Sequence, residues 1–157
     1  MRSPEVQIGA MRLHWPGFRL LGRSGGRLRW RGIIQPISAQ YEIEVVYRIP
    51  KHRRGQLLRP GIPPTVTVVN PLLRRREANP SELIPHIYKN LDAPDYPFLC
   101  LYHPKQKEWN NSCLIALAII PWASEWLACY EIWHATEEWL GGGAHPEESN
   151  YNDKSAA

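Results

Sequence analysis

Cysteine is scarce in this chain: Cys100, Cys113 and Cys129 are the three thiols among 157 residues. An odd number cannot all pair within one chain, and the spacings fit no zinc motif. Neither a disulfide framework nor a structural zinc site is therefore expected. The opening Met1-Arg2-Ser3-Pro4-Glu5 lacks the apolar core of a secretory signal. Long apolar runs are missing too. The longest, Cys113 to Ala123, falls short of the ~20 residues that cross a bilayer. The expectation is a reduced, cytoplasmic protein with free thiols and no membrane partner.

Several enzyme signatures are absent as well. No Gly-rich phosphate loop ends in Lys-Ser or Lys-Thr, and no dinucleotide fingerprint follows a strand. There is no Gly-x-Ser-x-Gly elbow. The six histidines form no helix-borne metal pair: His103 and His145 precede prolines, and His134 lies on a late helical stretch. No metal and no cofactor are expected. No internal repeat and no second domain are visible.

What is present suits one globular domain with a sizeable core. Apolar residues make up 43% of the chain and charged residues 22%, ordinary values. Seven tryptophans and fifteen prolines are high for the length. The net charge is +4, with arginines concentrated in the first half. Arg53-Arg54 and Arg74-Arg75-Arg76 are short basic runs that an anionic partner, nucleic acid included, would use. No basic helix, metal-finger spacing or ladder of exposed aromatics accompanies them, so solvated loop charge is the plainer reading.

In chain order, residues 1–11 carry no periodic signal and are expected to be loose, with no opening helix. Phe18 to Leu21 and Arg27 to Ile34 read as strands joined by Gly22-Arg23-Ser24-Gly25-Gly26, whose glycines supply the positive φ of a hairpin. Gln40 to Ile49 is a third strand, with Tyr41, Ile43, Val45 and Tyr47 on its buried face. A fourth runs from Pro63 to Val69 and is ended by Asn70-Pro71. Short connections favour an antiparallel meander. Residues 71–97 read as an irregular loop. Asn111 or Ser112 is a candidate cap for a helix over Cys113 to Ile120, and Pro121 marks either a kink or a fresh start. Trp122, Trp126, Cys129, Tyr130 and Trp133 then form one apolar stripe, expected to pack on the sheet. Gly141-Gly142-Gly143 is expected to end that helix, and Cys113 and Cys129 to be structural.

The chemistry centres on Pro97-Phe98-Leu99-Cys100-Leu101-Tyr102. A cysteine at the end of a strand, exposed by a turn and backed by a helix, suits a nucleophile. The residues alone leave a second possibility open, a buried structural cysteine.

The wider pattern resembles the ubiquitin-conjugating (UBC) family. Four strands, a Pro63-Pro64-Thr65-Val66 strand start, a loop with His86, then Leu99-Cys100-Leu101 and Trp109 occur in its order. A finer match is to the bacterial branch from CBASS antiphage operons. It rests on Trp30-Arg31-Gly32-Ile33-Ile34-Gln35-Pro36, Leu99-Cys100-Leu101-Tyr102, Ile120-Pro121-Trp122-Ala123, Glu125-Trp126-Leu127, Tyr130-Glu131, Trp133, Trp139 and His145-Pro146. His86-Ile87-Tyr88 stands where the family has His-Pro-Asn, and the family's N-terminal helix and C-terminal helix pair have no counterpart in the pattern.

The resemblance implies an α+β, UBC-like fold: a four-stranded antiparallel meander on a Trp-rich C-terminal helix, with the catalytic cysteine in the loop region after the sheet. The domain would span residues 12–143, with a polar tail over 144–157. It implies that Cys100 carries a protein C-terminus as a thioester and passes it to an amine. His86 is the candidate for shaping the pocket or donating to the oxyanion, or merely for pinning the loop; Asn79 and Asn90 are further candidates for that donor. The implied acyl donor is a cGAS-like nucleotidyltransferase, acting through its C-terminus. The form is stand-alone, so activation would need a separate enzyme or another route. A non-catalytic UBC-like binding module and a basic nucleic-acid-binding domain are the alternatives.

Overall fold

The computed structural model describes residues 2–49, 63–102 and 109–141. The described elements run α1 (Pro4–His14), β1 (Arg19–Ser24), β2 (Arg27–Ile34), β3 (Tyr41–Arg48), β4 (Thr65–Asn70), β5 (Ile87–Tyr88), β6 (Phe98–Leu99) and α2 (Ile119–Thr136). Arg53-Arg54, His103 and His145-Pro146 lie outside the described residues.

Alternation dictates the sheet. Tyr41, Ile43, Val45 and Tyr47 are buried while Glu42, Glu44 and Val46 are half-buried, so β3 presents one face to the core. β3 pairs antiparallel with β2 and with β4, and β2 with β1, giving the expected meander. Gly25 and Gly26 carry φ of +58° and +71° at the β1–β2 turn, which a two-residue hairpin of this hand requires.

The sheet is larger than four strands. Its order is β1-β2-β3-β4-β6-β5, six strands, all neighbours antiparallel. The two additions are two residues each: β5 lies within what reads as an irregular loop, and β6 is the short strand expected just before Cys100. Runs this short carry no period, which is why the alternation rule passes over them.

The inner face (Leu28, Trp30, Ile43, Val45, Tyr47, Val66, Val68 and Leu99) joins Met11 of α1 and the buried side of α2 in one apolar cluster. The tryptophan stripe behaves as expected: Trp126, Cys129, Tyr130 and Trp133 are buried, and Trp122 is half-buried. A close approach fixes Gly32 on this face, where a Cβ would meet the Phe18 ring at 2.5 Å. On the outer face an open groove of about 290 Å³ runs past Glu44, Thr67 and Phe98. Glu44 accepts from Arg29 and Arg31 there, each at 2.9 Å.

Three expectations need correction. The chain opens with a helix: Ser3 caps α1 by accepting from the Val6 amide at 3.3 Å, and Pro4 follows at its first turn. The apolar period hides it because one of its two buried residues is Gln7, beside Met11. Residues 113–118 form turns rather than a helix, and α2 starts at Ile119. Pro121 therefore lies in its first turn, where no N–H is needed; a helix running through from Cys113 would have placed it in the interior. The helix ends at Thr136, not at Gly141. Glu137 takes the left-handed conformation (φ +71°) and its amide donates to the Trp133 carbonyl.

Gln7 also ties the two halves of the molecule. Its amide nitrogen donates to the Cys113 carbonyl at 2.9 Å, and its oxygen accepts from the Ile115 amide at 3.0 Å. Gln7→Leu would take this partner from both main-chain groups, the buried Ile115 amide and the part-buried Cys113 carbonyl. Each such group costs about 1–3 kcal/mol. Urea unfolding of Gln7→Leu is expected to read a loss of roughly 2–4 kcal/mol, whereas Leu13→Gln, on the exposed side of α1, changes little.

Candidate functional site

Cys100 follows β6 directly. Ile87 is opposite Leu99 and Tyr88 opposite Phe98, so β5 and β6 form a short ladder at the sheet edge. The Cys100 amide extends it by donating to the His86 carbonyl at 3.0 Å. That carbonyl also accepts from Trp126 Nε1 of α2 at 2.9 Å. His86 has φ +51°, an unusual conformation for a side-chain-bearing residue, held here by contacts on both sides. Its ring is buried and stacks on Trp139, with centroids 5.2 Å apart and planes at 25°. Trp139 in turn meets Trp126 edge-on at 5.2 Å. The main chain beside the thiol is thereby fastened to the long helix.

The thiol is half-buried. Its sulfur lies 3.1 Å from the Tyr88 hydroxyl and 4.0 Å from the Tyr102 carbonyl oxygen. The contact with Tyr88 follows from the pairing. Residues at i and j+2 on one face of an antiparallel pair are diagonal neighbours within reach of a long aromatic side chain. Either the S–H or the O–H can donate while the sulfur is neutral; once it is a thiolate, only the phenol can. Tyr102 packs against Trp122 at 6.2 Å.

Burial pushes the Cys100 thiol above the ordinary thiol range, and the Tyr88 hydrogen bond opposes the shift without cancelling it. Burial likewise raises Tyr88, reinforced by the hydrogen bond and the charge of a Cys100 thiolate. Burial lifts Tyr102 to about 12, with Cys100 adding to it. Burial thus favours the protonated form of both phenols.

The sign of this shift is testable. A raised pKa means less thiolate at neutral pH than in an exposed cysteine. In a Cys113→Ala/Cys129→Ala background, iodoacetamide alkylation of Cys100 is expected to rise with pH along a midpoint above that of the urea-unfolded chain. A midpoint at or below the unfolded value would contradict it.

Of the residues singled out in the sequence, His86 and Cys100 come together through their main chains. Asn79 Oδ1 accepts from Ser81, and Asn90 Nδ2 donates to the Tyr96 carbonyl at 2.9 Å; neither contact reaches Cys100. Cys129 is buried on α2, and Cys113 is half-buried in the turn segment rather than on a helix; none of the three cysteines is in a disulfide. Tyr88 was missed because nothing but its pairing with Phe98 brings it to the sulfur. Trp139 stood in the late Trp-rich block without a role.

The basic runs also need correction. Arg76 is no solvated loop charge: it is buried, pairs with Glu82 at 2.9 Å and Glu137 at 3.1 Å, and lies 5.5 Å from the Trp133 ring centroid. Arg74 and Arg75 are exposed. The Arg74 main chain is held by Tyr130, whose hydroxyl accepts from its amide and donates to its carbonyl at 2.9 and 3.0 Å. Among the described residues no group of three or more His, Cys, Asp or Glu is placed to hold a metal ion. No described helix is long and apolar enough to cross a membrane.

An antiparallel sheet whose edge hairpin ends in a half-buried thiol, fastened through tryptophans to one long helix, defines a small α+β protein built around Cys100. Residues 7–146 match the family model described as "Type II CBASS E2 protein", and the chain belongs to that family. Its role is accordingly E2-like, in CBASS antiphage defence and alongside other CBASS components. A comparison with curated proteins finds no match.

Proposed function

We propose that the protein is a stand-alone conjugating enzyme with a UBC-like fold, in which Cys100 carries the C-terminal acyl group of a partner protein as a thioester and passes it to an amine. One observation carries this reading. In a chain of an E2-like family, the cysteine that follows β6 has its sulfur half-exposed beside a hydroxyl, on a hairpin braced by α2. A thioester needs an accessible sulfur held still and a donor near the carbonyl oxygen. The domain spans residues 12–143 together with α1, and the site needs no metal or cofactor.

The acyl donor we favour is a cGAS-like nucleotidyltransferase of the same operon, through its C-terminus, in the cytoplasm. Activation comes from a separate enzyme or from another route to the thioester. His86 positions Cys100 through its carbonyl rather than acting on substrate through its ring. The test is the intact mass of the protein co-expressed with that nucleotidyltransferase, with and without reductant. A thiol-labile adduct of the partner's mass is expected.

A second reading has one observation in its favour. The raised thiol pKa suits a cysteine that stays protonated, as in a UBC-like module that binds the nucleotidyltransferase without conjugating it. A stable complex with no adduct would select it. A nucleic-acid-binding domain is less well supported, since Arg29 and Arg31 pair with Glu44, and Arg76 with Glu82 and Glu137.

A further inference from the structure

Resting on the thioester reading above, we propose that Tyr88 is a catalytic residue: its hydroxyl donates a hydrogen bond to the Cys100 sulfur as a thiolate and to the carbonyl oxygen that becomes an oxyanion when the thioester is attacked.

Placement comes first. Tyr88 is held by its ladder partner Phe98, and Phe98 by Thr67 of β4, so the phenol is carried by the sheet rather than by a free loop. Its oxygen stands 3.1 Å from the sulfur. An acyl carbon bonded to that sulfur places its oxygen only two bonds away, within the sweep of the same hydroxyl. Of the other groups named for this task, Asn79 accepts from Ser81 and Asn90 donates to the Tyr96 carbonyl, while the His86 ring is buried against Trp139.

The chemistry needs a donor, not an acid. The amine nitrogen attacks the thioester carbonyl carbon, a C–N bond forms, and the C=O π pair moves onto oxygen. That pair then returns, the C–S bond breaks, and its electrons leave on Cys100 Sγ while the amine loses a proton to solvent. Negative charge thus sits first on the oxygen and then on the sulfur, two atoms the phenol O–H reaches in turn without giving up its proton. Burial of Tyr88 keeps that proton in place. A fixed donor in a half-buried site costs no reorganisation when the charge develops.

The experiment uses the full chain in a Cys113→Ala/Cys129→Ala background, so that one thiol remains. Two quantities are read for Tyr88→Phe: the pH midpoint of iodoacetamide alkylation, and the single-turnover discharge to free lysine. For the second, Cys100 is loaded by exchange with a glycine-ended peptide as its mercaptoethanesulfonate thioester, which needs no activating enzyme. Phenylalanine keeps the ring and the ladder, and an unchanged thermal midpoint checks this. Loss of a hydrogen bond to a charged group is expected to raise the alkylation midpoint by about one pH unit. Loss of an oxyanion donor is expected to slow discharge ~100-fold. Tyr96→Phe, on the same hairpin, changes neither.

An unchanged alkylation midpoint in Tyr88→Phe overturns the hydrogen bond to sulfur, whatever the wild type does. A raised midpoint with unchanged discharge overturns the catalytic role. If the wild-type protein cannot be loaded at all, the transferase reading falls and takes the oxyanion role with it, while the alkylation profile still decides the contact with the thiolate.

Discussion

Cys100→Ala removes the covalent adduct completely, while Cys113→Ala and Cys129→Ala keep it. This is the expected result of intact-mass analysis after co-expression with the nucleotidyltransferase. The asymmetry follows from where the thiols sit. Cys129 is buried on α2 with its pKa raised by burial and by the nearby Glu125 carboxylate, so it offers little thiolate and little access. Cys113 is tied to Gln7 through its carbonyl, in the turn before α2. Cys100 combines partial exposure with the Tyr88 hydroxyl 3.1 Å from its sulfur. Unfolding is not expected to confuse the outcome, because alanine at a half-exposed cysteine removes one atom and costs on the order of 1 kcal/mol. Cys100→Ser is the sharper variant. Its hydroxyl attacks far more slowly, but an ester, once formed, resists the thiol reductant that cleaves the wild-type adduct. An adduct that survives in Cys100→Ala, or one lost equally in Cys113→Ala, would move the reaction to another residue.

The sheet was legible wherever its strands are long enough to show a period. In β3 the alternation names the inner face residue by residue, and Tyr41, Ile43, Val45 and Tyr47 lie where it puts them. The place of Cys100 directly after a strand was legible too, through its apolar flanks. What escaped had physical reasons. α1 buries Gln7 for its two main-chain hydrogen bonds, so an apolar count sees half a stripe; only Ser3-Pro4-Glu5, a cap with proline in the first turn, announces it. β5, paired with β6, is held by neighbours distant in sequence rather than by propensity. Their pairing decides which side chain touches the sulfur, so Tyr88 could not be found before them. Arg76 reads as surface charge until Glu82, Glu137 and the Trp133 ring are brought round it.

Trp126 is where fold and site meet, and its two substitutions are expected to separate them. The side chain is 5% exposed, stacks on Tyr130 at 5.7 Å, and meets Trp139 edge-on. Truncation to alanine removes the indole from the core; comparable substitutions cost about 3–5 kcal/mol, a large part of a domain's ~5–15 kcal/mol. Trp126→Phe retains most of the packing but removes the Nε1–H that donates to the His86 carbonyl. That carbonyl keeps the Cys100 amide as donor, so the loss is one hydrogen bond, about 1 kcal/mol. Urea unfolding should therefore rank alanine well below phenylalanine. Amide exchange gives the complementary reading. In Trp126→Phe the Cys100 amide is expected to lose protection by about a factor of ten more than amides of the β2–β3 ladder, because the edge hairpin opens locally while the central strands open only with the whole sheet. Equal loss across the sheet would mean that the bond to His86 stabilises the fold at large and leaves the thiol's surroundings no tighter than before. Selective loss at Cys100 would mean that α2 holds the hairpin in place from behind, and discharge of a loaded thioester should then slow in Trp126→Phe even though the sulfur and Tyr88 are untouched.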